Sequence, residues 1–154
     1  MPMMQLSSTL RKPLTEVMVV HCSDYRFQAG YQEFLNQKLA LNGNYDLLVI
    51  PGGSQSLTLV EYLPKFSWAG WKWLKFLADA HSLKRLILIQ HQDCKWYGTV
   101  PLHLHSSTEL RQRQEEDLLR VQAAVAGRRP ELSVELYYAG WDASEHITIE
   151  RVTG

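Results

Sequence analysis

Cysteine is scarce in this sequence, with two among 154 residues, and that scarcity excludes a disulfide framework as the source of stability. An excess of charge is missing as well, since sixteen basic residues stand against sixteen acidic ones. Without a basic surplus there is no electrostatic footprint for nucleic acid or for an anionic membrane surface, and neither is expected as a partner. No apolar run reaches membrane-spanning length, and the opening "MPMMQLSSTLRKP" holds none long enough for a signal peptide. The expected compartment is the cytoplasm, where thiols stay reduced. There a disulfide between the two cysteines is the minor alternative to a metal-binding or catalytic role. Repeats, low-complexity tracts and long linkers are missing too, which predicts one domain over residues 1–154.

What is there is an ordinary globular composition, 45% hydrophobic and 21% charged, in an alternating order of strand and helix. "EVMVVH" (residues 16–21) reads as a first apolar strand. A helical pattern follows, with Phe27, Tyr31, Phe34 and Leu35 on one face and Asn42 and Gly43 as its stop. "YDLLVI" (residues 45–50) reads as a second, buried strand that ends in "PGGS". Pro64 precedes a helix whose Trp73, Phe76, Leu77 and Ala80 share a face, and "RLILIQ" (residues 85–90) is the clearest strand. Ser106 and Glu109 form a capping-box pattern before Leu118, Val121 and Val125, with Gly127 and Pro130 as the stop. "LSVELYY" predicts a fourth strand, and "HITIERV", after a turn at "GWDAS", a final edge strand. The order predicts an α/β fold with a mostly parallel sheet covered on both faces.

The chemistry-bearing residues cluster at strand ends. Cys22, Asp24 and Arg26 follow the first strand, and His91 and Cys94 follow the third. In an open parallel sheet the crevice outside the carboxyl ends of the strands is where ligands bind. If the two strands are neighbours, two thiolates and one imidazole converge there. Zinc prefers that donor set, and three protein ligands leave a fourth position for water or substrate. Asp24 could close the fourth position itself. Alternatively, the forked donors of Arg26 hold the carboxylate aside, and water takes the place with a pKa lowered to about 7. In that arrangement Asp24 orients the resulting hydroxide.

"CSDYR" followed by "HQDC" resembles the zinc motif of the β-class carbonic anhydrases, C-x-D-x-R with a later H-x-x-C. The resemblance extends over most of the chain, through to the terminal segment "VELYYAGWDASEHITIERV". It implies a β-carbonic-anhydrase-like sheet flanked by helices, with a C-terminal edge strand. It also implies a zinc lyase that interconverts carbon dioxide and bicarbonate through a zinc-bound hydroxide, working as a homodimer or a higher assembly. Cys22, His91 and Cys94 match the zinc ligands, and Asp24 and Arg26 match the catalytic pair that gates the fourth position. The sequence departs from the family where Lys95 and Trp96 follow Cys94 in place of glycine. It departs again where "PGGSQS" replaces an arginine-asparagine-alanine-glycine run and where Tyr25 stands at a common serine. Two other readings stand beside the lyase: a non-catalytic zinc-binding relative serving as an interaction or regulatory module, and a hydrolase of carbonyl sulfide or carbon disulfide.

Gly52 and Gly53 lack the spacing and lysine of a phosphate-binding loop and are expected to line the substrate pocket. His21 is expected on the opposite face of its strand from Cys22, in a structural role. His103 and His105 fit a solvated loop or a proton relay better than a second metal pair. The five tryptophans, three of them in "WAGWKW", exceed what one buried helix face hides and point to a subunit interface. A thiol redox role is disfavoured, because no C-x-x-C is present.

Overall fold

The computed structural model describes residues 1–11, 13–58, 64–99 and 105–154. Five strands form one sheet in the order β2-β1-β3-β4-β5. They are β1 (Val17–His21), β2 (Asp46–Val49), β3 (Arg85–His91), β4 (Ser133–Trp141) and β5 (Ile147–Arg151). The first four run parallel and β5 returns antiparallel along β4. The β-branched and leucine-rich runs of β1 and β3 make the centre of the sheet, because strands buried on both faces select such residues. Their side chains alternate between two cores.

On one face Met18, Val20, Leu86 and Leu88 pack with Leu136 under α2 (Pro64–His81) and α3 (Ser107–Arg128). On the other face Val19, Ile87 and Ile89 pack against Phe27, Tyr31 and Leu35 of the α1 segment, a helix over Gln28–Glu33 continued by a π-type turn over Phe34–Lys38. That segment stops at Lys38, earlier than the expected stop at Asn42 and Gly43; Ala40 is the first left-handed residue, and Asn42 and Gly43 hold left-handed backbone in the turn that follows. The expected capping of α3 holds too, with the Glu109 N–H donating to Ser106 Oγ at 3.1 Å. Among the described residues no helix is long and apolar enough to cross a membrane.

One expectation needs correction, and the structure settles which face of α2 is buried. β2 is an edge strand rather than a buried one, and its Leu47 and Val49 are partly exposed while Leu48 faces the core. On α2 the stripe of Trp73 and Phe76 faces solvent; the buried stripe is Ser67, Gly70, Leu74 and Ala78. The physical reason is distance. α2 lies so close to the turn after β2 that a Cβ on Gly70 would sit 3.0 Å from Ser56 Oγ, and glycine fits at that contact.

Candidate metal centre

β1 and β3 are neighbours, paired in register from Val17 with Arg85 to His21 with Ile89. The chain leaves β1 toward β2 on one side, whereas β3 lies on the other, so a topological switch point opens between their carboxyl ends. Cys22 follows β1 there, His91 closes β3, and Cys94 lies on the turn just after it. All three are buried, and their donor atoms lie within 4.8 Å of one another. The two Sγ atoms are 4.0 Å apart, near the roughly 3.8 Å that tetrahedral zinc with 2.3 Å bonds to sulfur requires.

His91 presents the right nitrogen. Its Nδ1 donates to the Gln92 carbonyl at 2.8 Å, because a carbonyl can only accept, and this leaves Nε2 with a bare lone pair. That Nε2 is buried and has no hydrogen-bond partner among the described residues. A metal-binding histidine characteristically donates its other ring N–H in this way.

The two thiols call for a cation. The Cys94 bond lowers the Cys22 pKa, with His91 reinforcing the shift against burial. The same bond, burial and the Cys22 charge push Cys94 upward. One negative charge is thus favoured and a second opposed, and a divalent ion supplies the compensation that allows both thiolates. The donor set fits zinc.

Arg26 and Asp24 stand beside the cluster. Arg26 Nε reaches Asp24 Oδ1 at 3.0 Å and its Nη2 reaches Oδ2 at 2.7 Å, a two-pronged grip on the carboxylate. Hydrogen bonds from the Arg26 side chain hold the Asp24 pKa below its usual value, so the carboxylate is ionised. Arg26 also donates to Asp93 Oδ2 at 3.0 Å and to the Asp93 carbonyl at 3.1 Å, which ties the turn after β1 to the turn after β3. Asp93 holds left-handed backbone, φ 55°, a conformation that aspartate tolerates better than most residues. Nothing in the sequence singled Asp93 out.

A cleft of 570 Å³ opens onto Cys22 and Cys94, walled by Tyr25, Arg26, Pro51 and Trp96. Gly52 and Gly53, the expected pocket residues, pack against Trp96 and Cys22, which face the cleft. Gly52, at φ +77°, packs flat under the Trp96 indole, and a Cβ on Gly53 would approach the Cys22 nitrogen at 3.1 Å. His21 is buried with its ring 4.3 Å from Tyr31, as expected of a structural residue. His105 is exposed, and His103 lies outside the described residues.

Sequence reasoning missed a buried polar support. Gln90, Tyr97, Gln114 and Asp117 are all buried around the cluster and joined by hydrogen bonds. The available signal was a glutamine and an aspartate in helical register with Leu118, Val121 and Val125.

No protein-family model matches the sequence. An uncharacterized protein of Rickettsia bellii is 24% identical over 153 residues, covering 96% of this chain and 91% of that one. Among solved structures, the β-carbonic anhydrase CafD of Aspergillus fumigatus superposes with a TM-score of 0.51 at 16% identity, covering 91% of each chain. A tetrameric β-carbonic anhydrase of Sordaria macrospora gives 0.53 at 10% identity over 90% of this chain and 81% of that one. The β-carbonic anhydrase CcaA gives 0.53 at 10% identity over 93% and 85%. The molecule is a divergent protein of the β-carbonic anhydrase fold, with a cysteine–histidine–cysteine cluster at its sheet's switch point.

Proposed function

We propose that the chain is a zinc-dependent lyase for the reversible hydration of carbon dioxide, with Cys22, His91 and Cys94 as the metal ligands. The observation that carries this reading is the buried donor set, above all the bare Nε2 of His91 facing two coupled thiols. Zinc held there would supply a Lewis acid and, near neutral pH, a hydroxide nucleophile.

The chain's own residues do the rest. Arg26 grips both oxygens of Asp24 and keeps the carboxylate ionised. Asp24 then serves as the acceptor that orients the attacking water, while the apolar walls of Tyr25, Pro51 and Trp96 hold carbon dioxide beside it. Carbon dioxide and water give bicarbonate and one proton, and the proton passes to solvent through the open mouth of the cleft. Carbonyl sulfide and carbon disulfide would meet the same residues.

Stopped-flow hydration assays on protein of measured zinc content, beside the same protein stripped by a chelator, test the proposal. Hydration well above background that disappears on stripping is the expected result. A full zinc complement without hydration, from neutral to alkaline pH, would move the reading to the non-catalytic relative. The bulky Trp96 seated on Gly52 is the feature that favours that second reading.

A homodimer belongs to the proposal as well. Trp68, Trp73 and Phe76 line the outer face of α2, with Trp68 63% and Phe76 67% exposed, and β2 leaves one sheet edge unpaired among the described residues. Large exposed aromatic groups of this kind mark interfaces. A Trp68→Asp, Phe76→Glu double variant is expected to shift the mass measured by light scattering toward the monomer. An unchanged mass would place the interface elsewhere. The two free thiols suit the reducing cytoplasm proposed as its compartment.

A further inference from the structure

The buried face of α3 changes chemistry along its length. Leu118, Val121 and Val125 lie against the sheet, fully buried. On the same side, toward the helix start, stand Gln114 and Asp117, both 0% exposed. An amide and a carboxylate where leucine would pack cost desolvation free energy, which only specific partners offset. Those partners are the scaffold of the cysteine–histidine–cysteine cluster.

Gln114 Nε2 donates to the His91 carbonyl at 2.8 Å. The Tyr97 hydroxyl donates to Asp117 Oδ2 at 2.9 Å. Tyr97 sits on the turn just after Cys94, its own N–H bonded to the Cys94 carbonyl at 3.2 Å. Gln90, adjacent to His91 on β3, sends its Nε2 to the Tyr97 hydroxyl at 3.3 Å, to Ser54 Oγ at 3.0 Å and to the Gly52 carbonyl at 3.1 Å. The next residue, Gly53, packs against the Cys22 backbone, where an added Cβ would stand 3.1 Å from the Cys22 nitrogen. At the outer end Arg113 Nε donates to Asp117 Oδ1 at 3.0 Å, the chain's outlet toward solvent.

We infer that Asp117 is a positioning residue for the Cys22–His91–Cys94 centre, setting through Tyr97 and Gln90 the loops that present the two cysteines while Gln114 holds the end of β3. The inference rests on reading that cluster as a metal centre. The donor order is one-way, from Gln90 to Tyr97 to Asp117. The Tyr97 hydroxyl spends its one proton on Asp117 and can only accept from Gln90, which fixes this order. A purely structural ion pair between Arg113 and Asp117 would lie at the surface; here the carboxylate side chain is 0% exposed and the guanidinium 23%.

The test compares wild type with Asp117→Leu, Asp117→Asn and Tyr97→Phe, each checked for fold by circular dichroism. Zinc affinity is read by competition with a chromophoric chelator, and ligand geometry by the absorption bands of the cobalt(II)-loaded proteins. Asp117→Leu and Tyr97→Phe are expected to lose on the order of 10–100-fold in zinc affinity, with shifted cobalt bands. Asp117→Asn, whose amide oxygen still accepts from Tyr97, is expected to stay close to wild type. Folded Asp117→Leu with wild-type affinity and spectrum would overturn the inference. If Asp117→Leu does not fold, Tyr97→Phe decides alone by the same criteria. A wild-type chain that binds neither metal would overturn the metal centre and this inference together.

Discussion

Cys94→Ser, purified beside the wild-type chain from zinc-containing medium, is expected to retain almost none of the metal. A serine hydroxyl is not deprotonated near neutral pH and is a harder donor than a thiolate, so the cluster falls from three ligands to two. Loss of an outer-shell partner already costs roughly 10–100-fold in affinity, and loss of a ligand costs more. The variant should still fold, because Cys94 lies on a turn beyond the end of β3 and outside both main cores. Elemental analysis with circular dichroism checks both halves. Stoichiometric zinc in a folded Cys94→Ser protein would remove Cys94 from the ligand set, and hydration activity in it would remove the mechanism.

Gly52→Ala should be the most damaging single-methyl change near the site. The backbone there is left-handed at φ +77°, and the added Cβ would stand 2.1 Å from Trp96 Cδ1. The handedness alone costs about 1–2 kcal/mol for a residue with a Cβ. The overlap cannot be relieved without moving the indole off the loop, because the contact lies on the ring itself. At about 2–4 °C per kcal/mol for a chain of this size, a thermal midpoint lowered by roughly 2–8 °C is expected. Tryptophan emission should shift to the red as Trp96 meets water, and zinc affinity should fall because the neighbouring Gly53 packs against the Cys22 backbone. A variant with unchanged emission and midpoint would mean that the loop can rearrange around the methyl group.

The centre of the fold and the cluster were legible in the sequence for the same reason. The runs "VMVV" and "LILI" can only be strands covered on both faces, and the donors follow each run immediately, so placing the strands placed the donors. The pairing of Asp24 with Arg26 was legible as well, since two residues on a turn put an acid and a base within reach. What the helical period left open was the choice of face. Trp73, Phe76, Leu77 and Ala80 satisfy a helical period, but a period does not say which stripe meets the sheet; the closeness of Gly70 to Ser56 and Leu57 decides it. β2 misled for a related reason, because an apolar run cannot tell a central strand from an edge strand that keeps two side chains partly outside. Asp93 and Asp117 were invisible because their partners, Arg26 and Tyr97, are 67 and 20 residues away.

The two cysteines stand 72 residues apart in the chain, and one ion bound to both closes that stretch into a ring. By the chain-entropy account of cross-links, a ring of that size removes roughly 4 kcal/mol of freedom from the unfolded chain. The ring contains α1, β2, α2 and β3, nearly half the protein. The metal would thus act as a staple across the β1–β3 seam. A slip of one residue in that pairing would turn the donors to opposite faces, so tight metal binding would report that the sheet had assembled in register.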